Sequence, residues 1–365
     1  MKTAVAEPEH HVDPTDFAAA AVNTALTPQE KIRLLTSMMR IRRFEEKAGA
    51  WYEKEGMMGG FLHRYDGQES IAVGCASLMG AHDHMITAYR NHGHGLAVGM
   101  NMNECMAELF GRATGCSKGK GGSMHYFAPD KNYWGGHGIV GGQTPLGTGI
   151  AYYIKYKGLT GSCMTFMGDG AVNQGAYHES LNLAGLFDLP VIFIIENNGY
   201  SMGTSQSRSS AFKNCLAYRA DGYDIVWDII NGWDLYEVRA KMKIALERAH
   251  KESRPTVVEI NTYRHYGHSV SDAKAKVYRP EDEIERFKNH FDPIQLWKGR
   301  LIEEGVIAES DYEKLDKAAK EEAQAAVEFS LASPFPEFED ITKDVYHEVD
   351  EFTEAGRTGR HFFND

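Results

Sequence analysis

Two polar motifs each close an apolar run in the middle of the chain. Gly168-Asp169-Gly170 follows residues 162–167, and Asn197-Asn198 follows residues 190–196. Asn198 lies 29 residues beyond Asp169, enough for one helix, one strand and their turns. If the two runs are neighbouring parallel strands, both motifs fall on the carboxyl edge of the sheet, where open α/β sheets bind ligands. A carboxylate and an amide oxygen then stand side by side. Magnesium takes six oxygens, one or two from carboxylates and the rest from phosphates and water. Asp169, Asn198 and two diphosphate oxygens would meet that demand. The glycines around Asp169 let main chain approach the phosphates, and a helix opening near Ala171 would turn its positive end toward them. A tight βα turn with a capping Asp explains Gly168-Asp169-Gly170 alone equally well. The Asn pair at the end of the next strand is what favours the metal.

The elements that must position these groups are legible along the chain. Thr27-Pro28-Gln29-Glu30 is a capping box with Pro at the first helical position. Ile32, Leu35, Met39 and Ala48 then recur at helical spacing, which predicts a long amphipathic helix ending near Gly56. Residues 59–149 are glycine-rich with interspersed His and aromatic residues, and helical patterns occupy 70–79 and 103–113. Glycine at this density in an ordered region implies tight turns and close backbone approach. Strand and helix then alternate: strand 162–167, helix to about Phe187, strand 190–196, a strand within 221–230, a helix opened by Asp234 with Glu237 at the reciprocal position, and strand 255–262. Such alternation means parallel βαβ units. A second capping box, Ser310-Asp311-Tyr312-Glu313, opens a helix running to Pro334. The predicted fold is α/β, a parallel sheet with helices on both faces and a helical C-terminal extension. Its expected divisions are a disordered tail (1–26), an α/β domain (27–290) and the extension (291–365).

Composition narrows the partners. The 365 residues include 51 acidic and 39 basic side chains, for a net charge of -12, so neither nucleic acid nor anionic membrane is an expected partner. The five cysteines are scattered and form no CxxC pair, which argues against a disulfide framework or a structural zinc site. Residues 1–26 lack the apolar core of a secretory signal and the arginines of a mitochondrial presequence. No apolar run reaches membrane-spanning length. The expected location is the cytoplasm.

The paired motif resembles the thiamine-diphosphate fingerprint. Further segments narrow the resemblance to the alpha subunits of the decarboxylating component of 2-oxo acid dehydrogenase complexes. They are Asp66-Gly67-Gln68-Glu69, Tyr89-Arg90-Asn91-His92-Gly93, Gly119-Lys120-Gly121-Gly122-Ser123-Met124-His125, Gly138-Ile139-Val140-Gly141 and Gly267-His268-Ser269. They occur in family order from about Thr27 to the C-terminal helices. The resemblance implies a thiamine-diphosphate-binding fold with thiamine diphosphate and Mg²⁺ as cofactors. It implies oxidative decarboxylation of a 2-oxo acid with transfer of the acyl group to a lipoyl-bearing acyltransferase component. It also implies a beta subunit in an α2β2 heterotetramer, because the family's glutamate that activates the aminopyrimidine lies on a second chain and no segment here matches it. By the same resemblance, Asp169 and Asn198 ligate the metal together with the main-chain carbonyl of Tyr200. Tyr89, Arg90, Arg264 and His268 hold the diphosphate, Gly170 and Ala171 line its turn, and Gly138 and Val140 present main chain to the aminopyrimidine. His63 and His268 are the expected catalytic side chains. Taken one by one without the family, a Tyr-Arg pair is a surface or interface pair, and a histidine is a hydrogen-bonded structural residue.

The segments 119–125 and 267–272 look like the pyruvate-acting members, so pyruvate is the expected substrate. Branched-chain 2-oxo acids and acetoin are the alternatives. The family's Tyr-His-Gly-His appears here as His265-Tyr266-Gly267-His268, which keeps His268, removes the basis for a role of its neighbour and slightly raises the acetoin alternative without displacing pyruvate. Ser269 matches a serine phosphorylated in mitochondrial relatives, but its modification is not expected here; Val277 stands near the second such position. Three other patterns are declined. Gly136-His137-Gly138-Ile139-Val140-Gly141 fits GxGxxG literally, but residues 131–134 before it do not read as the strand a dinucleotide site requires. Residues 115–121 nearly spell a phosphate loop, yet the spacing is one short and Gly121 stands where Ser or Thr must bind magnesium. His82/His84 and His92/His94 lack the ligand frame of zinc. A nicotinamide dehydrogenase and a non-catalytic binding protein are therefore the remote alternatives.

Overall fold

The computed structural model of the chain describes residues 15–54, 57–212, 214–272 and 275–343. Its strands are β1 (His84–Ala88), β2 (Tyr133–His137), β3 (Cys163–Gly168), β4 (Val191–Asn197), β5 (Tyr200–Ser201), β6 (Thr204–Ser205), β7 (Val226–Asn231) and β8 (Thr256–Asn261). Six of them form one parallel sheet in the order β2-β1-β3-β4-β8-β7, and β5 and β6 make a small antiparallel hairpin. The helices before β3 are α1 (Ala21–Thr24), α2 (Pro28–Tyr52), α3 (Glu69–Ala76), α4 (His92–Ala97), α5 (Met102–Leu109) and α6 (Gln143–Tyr156). After it come α7 (Gly175–Leu186), α8 (Gln206–Ser209), α9 (Leu235–Glu252), α10 (Ala275–Tyr278), α11 (Glu281–His290), α12 (Pro293–Glu303) and α13 (Glu309–Ala332).

Strand pleating divides the core in two. Ile192 and Ile194 of β4 enter the cluster that includes residues of α2, α3, α9 and α13, whereas Val191, Phe193 and Ile195 enter the cluster with α7. Successive side chains of a strand face opposite ways, so a strand apolar at every position is covered on both faces. The α/β fold with helices on both faces is as expected. Thr27 and Glu30 make the expected capping box at the start of α2.

Several expectations are corrected. Residues 15–26 are not a disordered tail: Phe17–Ala19 and α1 are helical, and the Asn23 amide donates to Phe17 O and Tyr236 O, both at 2.9 Å. Arg239 of α9 donates in turn to Asn23 Oδ1 and Val22 O, so a few hydrogen bonds dock this segment, too few for composition to register. Residues 1–14 lie outside the described residues. Strand β2 occupies 133–137, which the sequence reading did not treat as a strand. Two of its five residues are glycines, Gly135 and Gly136, so it has no apolar pattern. A Cβ on them would come within 2.2 Å of Tyr126 O and 2.4 Å of Met124 O, respectively. Helix α2 stops at Tyr52 rather than near Gly56, where residues 55–56 lie outside the described set. A 3-10 turn (Ala171–Asn173) follows Gly170, and α7 opens only at Gly175. Glu237 does not reach back to Asp234 but accepts from Asn231, while the Asp234 carboxylate caps Tyr236 and Glu237. Helix α13 begins at Glu309, so Ser310 is not its cap; Asp311 accepts from the Ala308 amide instead.

Candidate active site

Five of the six sheet strands deliver predicted residues to the carboxyl edge. Tyr89 and Arg90 follow β1, Gly138 and Val140 follow β2, Asp169 to Ala171 follow β3, Asn198 and Tyr200 follow β4, and Arg264 and His268 follow β8. Gly168 pairs with Glu196, so Asp169 and Asn198 step off adjacent strands close together. The turn after β4 folds back over Asp169. Ser201 Oγ donates to Asp169 Oδ2 at 3.0 Å, and the Tyr200 amide donates to Asn198 Oδ1 at 3.4 Å. A Cβ on Gly170 would come within 2.3 Å of Ser201 Oγ and 2.8 Å of its Cβ, so the missing side chain lets this turn close. Asp169 is only 4% exposed. Burial pushes its carboxyl up to about 6, against the hydrogen bond from Ser201. A carboxylate so poorly compensated has a strong demand for a cation. The Asn198 amide donates to Gln68 Oε1 at 3.3 Å, and Gln68 Nε2 is buried without a partner.

The other half of the edge demands an anion. Arg264 is 1% exposed, and its guanidinium donates to Tyr266 O at 3.0 Å, Met202 O at 2.9 Å and the Tyr278 hydroxyl at 3.2 Å, with Nε unpartnered. Arg90 donates to Arg64 O at 2.7 Å and His268 O at 2.9 Å. Neither forms an ion pair with a carboxylate among the described residues. Burial and the nearby Arg264 charge hold the Arg90 pKa below its usual value. Buried charges are ordinarily paired, so two guanidinium groups held by neutral oxygens fit a diphosphate. Asp169 and Asn198 beside them fit the divalent ion that would bridge it.

His63, Tyr89 and His268 cluster at this edge. The His63 ring centroid is 4.6 Å from Tyr89 and 5.1 Å from His268, and His63 Nδ1 is buried without a partner. Burial and then Arg90 push His63 down to about 2 and His268 down to about 4. Both rings are neutral at pH 7. Gly138 is half-buried and Val140 exposed, on the rim at the far end from β8.

Sequence reasoning missed Gln68, Ser201 and Arg279 as site residues. Gln68 lay inside a quoted motif and Ser201 one residue past Tyr200, but Arg279 carried no signal; it is buried and donates to Arg264 O and Tyr266 O at 2.8 and 2.6 Å. The declined phosphate-loop pattern has a physical explanation. The amides of Ser117, Gly119, Gly121 and Gly122 all donate to the Glu108 carboxylate at 2.7–3.0 Å. The anion-binding nest exists, and the chain's own side chain fills it. The GxGxxG pattern does follow a strand, β2, contrary to expectation. That strand ends at His137, inside the motif, and lies at the sheet edge.

Comparison with known proteins places the chain in a family. A family model described as the dehydrogenase E1 component matches residues 36–339. The chain is 44% identical over 318 residues to the pyruvate dehydrogenase E1 component subunit alpha of Rickettsia bellii, covering 87% of this chain and 96% of that protein. It is 42% identical over 330 residues to the protein of that name in Rhizobium meliloti (90% and 93%). It is 41% identical over 325 residues to the somatic, mitochondrial pyruvate dehydrogenase E1 component subunit alpha of Bos taurus (89% and 82%).

Proposed function

The chain belongs to the dehydrogenase E1 component family, and from that premise we propose that its strand-tip site holds thiamine diphosphate through Mg²⁺. It acts as an alpha subunit in the oxidative decarboxylation of pyruvate, with the acetyl group passing to a lipoyl carrier. Branched-chain 2-oxo acids, acetoin and nicotinamide chemistry are not favoured by the relatives. The observation that carries the site assignment is a pair of buried guanidinium groups, Arg90 and Arg264, that pair with no carboxylate among the described residues and lie at the same sheet edge as Asp169 and Asn198.

Thiamine diphosphate supplies the electron sink that lets a 2-oxo acid lose carbon dioxide. Asp169 and Asn198, with the Tyr200 carbonyl, would hold the metal, while Arg90, Arg264, Tyr89 and His268 would hold phosphate oxygens. Gly170 and Ala171 keep the approach to the diphosphate narrow. Gly138 and Val140 offer main chain to the aminopyrimidine. Burial of the edge excludes water and strengthens each of these charges. His63, neutral and with Nδ1 unpartnered, can hydrogen-bond to the substrate. Because burial and then the Arg90 charge hold its pKa down, it would take up a proton only once bound phosphate offsets that charge.

The partners are a beta subunit, in an α2β2 heterotetramer, and a lipoyl-bearing acyltransferase component. Support for the first comes from an apolar face continuous with the site. Ile139 is 79% exposed, and beyond it Leu146, Tyr152 and Tyr156 of α6 and Leu186 and Phe187 at the end of α7 are exposed too. Tyr152 stacks on Tyr156 at 6.5 Å and meets Phe187 edge-on at 6.0 Å. Exposed apolar patches of this kind mark protein interfaces. The five free thiols and the bacterial relatives support a cytoplasmic location. No helix among the described residues is long and apolar enough to cross a membrane.

Calorimetric titration with thiamine diphosphate, with and without Mg²⁺, tests the site. Wild type is expected to show metal-dependent binding, and Asp169→Ala to lose most of it. Equal metal dependence in both would remove Asp169 from the site.

A further inference from the structure

Behind His63, a chain of buried hydrogen bonds runs from α2 to the glycine-rich loop. The Glu45 carboxylate on α2 accepts from the Tyr65 amide at 2.9 Å and lies 2.9 Å from His92 Nδ1 on α4. His92 Nε2 lies 2.9 Å from Ser123 Oγ, and the His63 amide donates to that same oxygen at 3.1 Å. Glu45, His92 and Ser123 are all buried. The His92 ring stacks on Tyr126 at 5.0 Å and meets Phe44 edge-on at 5.7 Å, so it has little freedom to turn.

Main-chain amides can only donate, which sets the two ends of the chain. Tyr65 donates into Glu45 at one end and His63 donates into Ser123 at the other. Ser123 O accepts from Asn91 Nδ2 at 2.7 Å and also lies 3.0 Å from His92 Nε2. The Glu45 carboxylate accepts from His92 Nδ1–H, and His92 Nε2 meets Ser123 at both its hydroxyl and its carbonyl oxygen. The order Ser–His–acid matches a nucleophilic triad. Here, however, the hydroxyl oxygen is buried and takes a main-chain proton, so the arrangement holds rather than attacks.

What it holds is the segment carrying His63. The amides on either side of Arg64 are the two ends of the chain, and Arg64 O is taken by Arg90. With His63 Nδ1 unpartnered, its ring is placed by this main chain and by packing against Tyr89 and His268. The loop bearing Ser123 is itself anchored through Glu108. We propose that Glu45, His92 and Ser123 are positioning residues that fix the His63 imidazole in the site by clamping the main chain at residues 63 and 65. The inference rests on the reading of His63 as a catalytic residue.

The test is a double-mutant cycle in the α2β2 holoenzyme, scored by pyruvate-dependent dye reduction, with thiamine diphosphate affinity and thermal midpoint measured alongside. Ser123→Ala is expected to lower kcat about ten- to a hundredfold, the scale of a small misplacement, while cofactor affinity stays within about twofold. In a His63→Ala background the same substitution is expected to cost nothing further in kcat, because the group it positions is gone. Equal losses in both backgrounds, or an unchanged kcat for Ser123→Ala alone, would overturn the proposal. If His63→Ala by itself keeps full kcat, the catalytic assignment of His63 fails, and that single variant reports it separately. Should Ser123→Ala not assemble, Ser123→Cys, whose thiol is a poor donor and acceptor, runs the same cycle.

Discussion

Arg264 meets three neutral oxygens and no carboxylate among the described residues. A planar fork can keep those contacts and still offer a donor to phosphate, which a single ammonium cannot. Arg264→Lys is therefore expected to weaken thiamine diphosphate binding about tenfold or more, measured by titration calorimetry, although the charge is retained. His265 gives a prediction in pH. Burial, then the Arg42 charge, pushes its imidazole down to about 3, below the ordinary 6.5 of an unfolded chain. Unfolding then takes up a proton here as pH falls below about 6.5, so folded stability from this group is full above that pH and is lost toward the folded pKa. Replacing His265 with Gln should flatten the slope of unfolding free energy between about pH 4.5 and 6 by about 1.4 kcal/mol per pH unit. Urea titrations at several pH values would read it; an unchanged slope would mean His265 is already charged in the fold. At this scale Asp169 and Asn198 were legible because each closes an apolar run. Arg279 was not, because nothing local distinguishes a buried arginine from a surface one.

At the scale of elements, α6 lies so close to β3 that Gly147 has no room for a side chain. A Cβ there would come within 2.0 Å of Thr165 Oγ1 and 2.9 Å of its Cγ2. Gly147→Ala gains helix propensity but forces the helix off the sheet. A net loss of about 1–3 kcal/mol is expected, read as a lower urea midpoint at unchanged slope. The long helices and β3, β4 and β8 were visible in the sequence through period and apolar runs. Strand β2 was not, because its glycines let backbone approach backbone instead of burying side chains. The 3-10 turn after Gly170 escaped for a related reason: it is held by Arg219, which donates to Val172 O and Asn173 Oδ1, and not by a capping residue.

For the molecule as a whole, one end of the site is open where Gly138 and Val140 meet the apolar face of α6 and α7. Purified chain with thiamine diphosphate and Mg²⁺ but no beta subunit is expected to give no pyruvate-dependent dye reduction, and addition of the beta subunit is expected to restore it. Turnover by the chain alone would end the view that a second chain completes the pocket.

Motif order and apolar periodicity were enough to reach the fold class, the family and the placing of Asp169 and Asn198 at neighbouring strand ends, because each leaves a trace in contiguous residues. The filled nest of Glu108, the docking of residues 15–26 on α9 and the Glu45–His92–Ser123 chain leave none. Each joins separate segments through a few side-chain hydrogen bonds that no periodicity marks. Such bonds form only once packing has excluded water and brought donor and acceptor within about 3 Å.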